Sequence, residues 1–444
     1  MDRIEDGEGQ QPEAEGRGAA FWRGLKALGP GLITGAADDD PSGIATYAQT
    51  GAQFGYGQLW TALYQIPMLI AVQEACARIG AVTGQGLAGA IKERYSRRVL
   101  IGLVAMLIIA NTINIGADIG AVAEAAKLVV PLPFWLFAAG TTLLVVLLEV
   151  LVTYRVYARV LKWLALALLS YAATALIVQE PWLQIIRATF IPHIEFSFGF
   201  LFIITGVFGT SISPYMFFWQ ASEEVEEETA QGIAKGSDGR PRLPKTFITQ
   251  MRVDTIAGMI AAEVAQWFII ITTATVLFSH GQKTINTAAD AAKALEPLVR
   301  SFPNSGQIAR DLFAVGVIGL GLLGIPVLAG SAAYALSEAL GWREGLSRKF
   351  RDARGFYGVI IVATVVGLCL NFIGIDPFKA LVVTSVINGI AAVPLLYVIA
   401  RLNSSRRTLG DRVGGVLSQL GLWLTFGVMA LSAIALLVTT FWRR

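Results

Sequence analysis

The chain is a succession of apolar runs, each close to the roughly 20 residues that carry a helix across a hydrocarbon core about 30 Å thick. This constrains the fold more than any motif does. Lipid offers no hydrogen-bond partner to exposed backbone, so only helices and closed barrels survive in it. About eleven spans can be placed, at 27–55, 58–79, 98–130, 134–153, 158–178, 198–222, 250–279, 309–341, 356–374, 378–400 and 416–440. Of 444 residues, 55% are hydrophobic and only 15% are charged, a balance that excludes an ordinary soluble domain. The sequence therefore predicts an all-α polytopic membrane protein.

Basic residues set the expected orientation, because cytoplasmic loops retain Lys and Arg. With the N-terminus inside, Lys92, Arg94, Arg97 and Arg98 fall in the cytoplasm, as do Arg155, Arg159 and Lys162. Lys235, Arg240, Arg242 and Lys245 follow on the same side, and so do the clusters at 343–354 and 401–412. The expected location is the cell membrane. Residues 1–22 are polar, acidic and Gly-rich, with no apolar core of a signal peptide, and predict a disordered cytoplasmic tail ahead of a transporter domain at 23–444. Cys76 and Cys369 lie in or beside spans and read as packing residues, not as a disulfide or thiolate site.

Two spans are interrupted in a matching way. The first contains Asp38-Asp39-Asp40-Pro41-Ser42-Gly43, and the sixth contains Thr210-Ser211-Ile212-Ser213-Pro214-Tyr215. Three adjacent carboxylates in a span cost several kcal/mol in total, about 2.5–3.5 for each charged residue at mid-bilayer, and persist only where they meet water or a cation. Pro214 alone reads first as an ordinary helix kink, but the acidic run at Pro41 does not, because a kink needs no carboxylates. Spans one to five and six to ten would be repeats of opposite orientation, at about 27–178 and 198–400, with 416–440 as an extra helix. Paired Pro-interrupted segments point to a transporter's substrate site. Unwound residues before each proline would offer carbonyl oxygens, and these with a carboxylate suit a hard cation.

Gly29-Pro30-Gly31, Asp40-Pro41, Gly51-Ala52-Gln53-Phe54-Gly55-Tyr56 and Leu59-Trp60 resemble the first-helix region of the NRAMP divalent-metal transporters. Gly80-Ala81-Val82-Thr83-Gly84, Leu87-Ala88 and Ala329-Gly330 extend the resemblance, which runs from about residue 24 to about residue 400. It implies a LeuT-like 5+5 inverted repeat with helices 1 and 6 broken. It also implies metal ligation by Asp40, by the backbone carbonyls of Ala37 and Thr210, and at the positions of Gly43 and Ser213. Asp39 would hold the ion's water and Asp38 would line the approach.

The departures from that family bear on the substrate. The family's Asp-Pro-Gly-Asn is Asp40-Pro41-Ser42-Gly43 here, so the Asn ligand is lost; its Met-Pro-His is Ser213-Pro214-Tyr215, so the soft thioether is lost too. Carboxylate, carbonyl and water select Mg²⁺, Ca²⁺ or Mn²⁺, and Mg²⁺ prefers to keep several waters. The same departures resemble the NRAMP-related magnesium transporter branch. The family's two sixth-helix histidines correspond to Tyr215 and Gln220, and its third-helix acid pair to Ile115 and Asp118. The expectation is Mg²⁺ uptake, with Mn²⁺ tolerated, down the electrochemical gradient and without proton coupling. Proton-coupled Mn²⁺ or Fe²⁺ uptake and amino acid transport on the same fold are the alternatives.

Other polar residues have plainer readings. Asp118 either pairs with a neighbouring Asn or Arg or marks a cation or proton route. Glu149 is expected at the interface, Asn111 and Asn114 as hydrogen bonds between helices, and Gly319, Gly321, Gly324 and Gly330 as close-packing positions. Glu223-Glu224-Val225-Glu226-Glu227-Glu228 reads first as a solvated helix end and second as an acidic mouth for cations. No nucleophile elbow, phosphate loop, metal-binding histidine pair or redox motif is present, so no enzyme, cofactor or nucleic-acid partner is expected. The expected partners are the divalent ion and the bilayer.

Overall fold

A computed structural model describes residues 34–35, 37–152, 168–178, 181–236 and 239–442. The tail expected at 1–22, the Gly29-Pro30-Gly31 segment and Arg155, Arg159 and Lys162 lie outside these residues, as does the first part of the fifth span. Among the described residues the helices of eight or more residues are α1 (Pro41–Phe54), α2 (Trp60–Thr83), α3 (Leu87–Arg94), α4 (Arg97–Val129) and α5 (Phe134–Leu151). They continue with α6 (Leu169–Ile177), α7 (Trp182–Phe190), α8 (Phe198–Ser211), α9 (Pro214–Ala230) and α10 (Lys245–Val276). The last are α11 (Ser305–Leu340), α12 (Arg354–Leu370), α13 (Pro377–Asn403) and α14 (Val416–Trp442). Among the described residues the only β pairing is an isolated bridge between Lys235 and Pro241.

Eight helical stretches are long and apolar enough to cross a membrane, counting α8 and α9 as one. With α1, α6 and the shorter apolar α12, helix falls on each expected span, the first and fifth being described in part. The starts follow local chemistry. Ser96 and Ser197 accept amides of the first turns of α4 and α8, and Asp376 accepts the Lys379 amide behind Pro377 at the first position of α13. Gly84 closes α2 at φ +65°, a conformation in which a Cβ would be strained. At 33 residues, α4 is about 50 Å long, so it overhangs a bilayer.

Burial separates centre from rim. In the most apolar window of α8–α9, 94% of residues are buried, against 22% in α5 and 28% in α14. Leu143, Leu147, Leu420 and Leu431 face outward on the last two, as lipid-facing residues do. Inside, α4 packs along α11 and α13, α8 along α13, α9 along α2, and α10 along α1 and α2. Glycines permit the closest approaches. A Cβ on Gly209 would collide with the Ser385 carbonyl of α13, one on Gly321 with Val122 of α4, and one on Gly330 with the Trp219 ring of α9. Gly321, Gly324 and Gly330 are thus packing positions, as expected. The cysteines divide: Cys76 is buried in the core, whereas Cys369 is exposed on α12.

Candidate metal centre

Both expected interruptions are complete breaks and not kinks. The first span is helical at Ala37 and Asp38, leaves the helix at Asp39 and Asp40, and restarts at Pro41; the sixth stops at Ser211 and restarts at Pro214. Each proline occupies the first position of the second half-helix, where its fixed φ suits the turn and its missing N–H costs nothing. The cost appears upstream. Pro41 and Pro214 are the residues four beyond Ala37 and Thr210, so neither carbonyl has a helical donor.

Hydroxyls occupy these two carbonyls instead. Tyr215 Oη donates to Ala37 O at 3.3 Å and lies 3.5 Å from Asp40 Oδ2. Ser213 Oγ is 2.7 Å from Thr210 O and 2.6 Å from Gly209 O. The two breaks also touch directly, with Ser42 Oγ and Thr210 Oγ1 3.2 Å apart. A carbonyl held by a hydroxyl can exchange that partner for a cation without breaking any helical bond. The negative ends of the first half-helices and the carboxylate of Asp40 then face the same point.

Asp40 is fully buried and held on every side. Its Oδ1 accepts the Ser42 hydroxyl at 2.6 Å and the Gly43 amide at 2.9 Å, and its Oδ2 accepts Asn114 Nδ2 at 3.2 Å. This cap offsets the positive N-terminus of α1, which alone would repel a cation. Gly43 contributes an amide and no side-chain ligand. On α11, Gly324 admits the Asp40 side chain, since its own Cβ would stand 3.0 Å from Asp40 Cβ.

The structure therefore brings Ala37, Asp40, Gly43, Thr210 and Ser213 together around the paired breaks. Asp39 is buried beside them, with Oδ1 lacking a hydrogen-bond partner. Among the described residues no three Asp, Glu, His or Cys side chains close on one point as a ready metal cage. Carbonyls and water must complete any coordination sphere here. A cavity of about 550 Å³ bordered by Phe54, Gly55, His193 and Phe278 opens beyond the far end of α1, some four turns from Asp40. None of the residues of the two breaks lines it.

Several polar residues fall differently from their sequence readings. Glu149, expected at the interface, is buried with neither carboxylate oxygen hydrogen-bonded. The acidic run is not a solvated helix end: Glu223, Glu224 and Glu228 are buried, Gln220 donates to Glu224, and Tyr334 donates to Glu226. The helix passes between α2 and α11, which cover it. Asn111 behaves as expected, donating from α4 to Leu328 O and Ser331 of α11 at 2.8 Å each. Asn114 does more, because its amide bridges Asp40 and Asp118 while its oxygen accepts Asn388 of α13. Asp118 is thus paired with Asn114, at 3.0 Å. His193 and His280 lie exposed, away from the breaks.

Ser42, Tyr47, Asn388, Glu263 and Gln266 were not singled out from the sequence. Tyr47 Oη bonds Ser211 Oγ at 2.8 Å, and Gln266, oriented to satisfy its surroundings, donates to Ser211 Oγ and Glu263 Oε2 at 3.1 Å each. For Glu263 a signal existed. It is the one acid in the apolar run from Ile256 to Val276, and an intramembrane carboxylate is a site hypothesis by default.

Solved structures show the same fold. A manganese transporter of Eremococcus coleocola aligns at TM-score 0.72 and 19% identity, covering 96% of this chain and 88% of that one. MhsT, solved in complex with L-phenylalanine, aligns at TM-score 0.55 and 13% identity over 93% of this chain and 97% of its own. Among curated relatives, a "Divalent metal cation transporter MntH" of Deinococcus radiodurans is 26% identical, covering 95% of this chain and 91% of the relative. Another, of Caldanaerobacter subterraneus subsp. tengcongensis, is 25% identical over 88% of this chain and 90% of the relative. The family described as natural resistance-associated macrophage protein-like, Nramp, matches residues 31–439, and the chain belongs to that family.

Proposed function

We propose that the protein is a divalent metal cation transporter of the cell membrane, N-terminus inside, that carries Mg²⁺ with Mn²⁺ tolerated and couples to no proton. The observation that carries this reading is the meeting of Asp40 with two carbonyls orphaned by prolines, Ala37 O and Thr210 O, at paired helix breaks. Asp40 ligates directly, the two carbonyls replace their hydroxyl partners with the ion, and Asp39 accepts hydrogen bonds from its water. Gly43 and Ser213, small where thioether and amide ligands stand in the family, leave that water its space. An all-oxygen, partly hydrated sphere suits Mg²⁺ better than soft metals. An inside-negative potential of 100 mV contributes about 4.6 kcal/mol per divalent ion, at about 2.3 per charge, so inward movement needs no proton.

The test is ion flux into proteoliposomes at a fixed potential, with a pH dye inside. Mg²⁺ and Mn²⁺ influx without acidification, abolished by Asp40→Asn, is the expected result. Mn²⁺ influx with co-moving protons and no Mg²⁺ flux would establish the second reading, whose metal is the one in the printed name of the Eremococcus coleocola manganese transporter. Undiminished flux in Asp40→Asn would remove the site assignment altogether.

A further inference from the structure

We propose that Asp38, Asp39 and Glu263 form a second cation station beside Asp40, which holds a partly hydrated divalent ion while Asp40 holds the other. The proposal builds on the reading of Asp40 as a metal ligand, but it adds Asp38 and Glu263, makes Asp39 the residue between the two ions, and concerns a different stoichiometry.

Three observations carry it. The first is placement. The first span packs backbone to backbone on α10, where a Cβ on Gly35 would collide with the Gly258 carbonyl. Glu263, five residues further along α10, is thereby set against the Asp38-Asp39 end of the break. The second is unmet bonding capacity. Asp38, Asp39 and Glu263 are 1%, 3% and 1% exposed, and each keeps one carboxylate oxygen with no hydrogen-bond partner. Buried charged oxygens without partners are costly, and three at one place call for a ligand that is positive or donates several hydrogen bonds. An aqua-cation is both.

The third is charge. Asp38, Asp39, Asp40 and Glu263 carry four formal negative charges, and among the described residues no Lys or Arg pairs with them. One divalent ion at Asp40 balances half of that; a second at this station balances the rest. Because no three of the acids converge as direct ligands, the second ion is held through its water. Gln266 fixes Glu263 through Oε2, which leaves Oε1 turned to this duty.

The experiment is equilibrium binding of Mn²⁺ to the purified full chain in detergent, with free Mn²⁺ read by electron paramagnetic resonance. The wild type should bind two ions per chain, with dipolar broadening between them at saturation. Glu263→Gln and Asp40→Asn should each bind one, and the double variant none. A wild type that binds one ion, with that stoichiometry unchanged in Glu263→Gln, overturns the second station and leaves Asp40 standing. A wild type that binds only one ion, lost both in Asp40→Asn and in Glu263→Gln, means one shared site and overturns it too. Two ions retained in Asp40→Asn, with one in Glu263→Gln, would instead sink the Asp40 assignment. Glu263→Asp should restore the second ion, and Asp38→Asn serves as an independent variant should Glu263→Gln not elute as a folded species.

Discussion

Asn114 shows how much of the centre rests on one side chain. Its amide hydrogens go to Asp40 and Asp118, and its oxygen takes Asn388, so three helices meet at a single amide. Second-sphere partners of metal ligands typically contribute 10–100-fold in affinity. Asn114→Leu should therefore raise the half-saturating Mg²⁺ concentration in the flux assay by about 10–100-fold, and an unchanged value would show that Asp40 needs no such support. Ser213 is where the proposed selectivity can be tested. Ser213→Met should raise the preference for Mn²⁺ over Mg²⁺ by about tenfold or more, equivalent to about 1.4 kcal/mol, measured by competition between the two ions. The sequence made Asp40 and Ser213 visible because polar residues stand out in apolar runs. It could not reveal Ser42, Tyr47 or Asn388, whose roles depend on partners 164 or more positions away or on the local turn.

At the scale of elements, the decisive device is the proline-initiated half-helix. Pro214→Ala would supply an amide to Thr210 O, letting α8 and α9 run on as one helix with the carbonyl sealed in it. Flux should fall at least tenfold while the thermal midpoint holds or rises, and unchanged flux would mean that Thr210 O is not a ligand. The breaks and their pairing were legible in the chain, since proline and adjacent acids in an apolar span have few other uses. The burial of Glu223, Glu224 and Glu228 was not. A charge run at a helix end reads as solvated until α2 and α11 are known to cover it.

Across the whole molecule, α11 and the turn after it gather acids from separate segments. Beyond the spans, burial pushes the Glu344 carboxyl up to about 9, with the charges of Glu338 and Glu226 adding to the shift and Arg348 and Lys92 opposing it. A carboxyl whose folded pKa is raised binds its proton more tightly folded than unfolded. Its stabilising contribution is present below the unfolded value of 4.5 and is lost as pH rises to about 9. The thermal midpoint should thus drop between pH 6 and pH 9, and Glu344→Gln should flatten that drop; an identical pH profile in the variant would place the titration elsewhere.

The sequence by itself determined the membrane class, the helical content, the positions of the spans and the two breaks. Each follows from local hydrophobicity, from proline's missing amide or from the cost of charge in lipid, none of which needs a partner. Tertiary structure alone decided which side chains share the centre. Asn114 and Asn388 reach it from α4 and α13, Tyr215 turns from the sixth-span break onto the Ala37 carbonyl, and Glu263 arrives on α10 beside Asp38 and Asp39. Those meetings depend on helix rotation and on glycine contacts between segments far apart in the chain, and no local pattern encodes them.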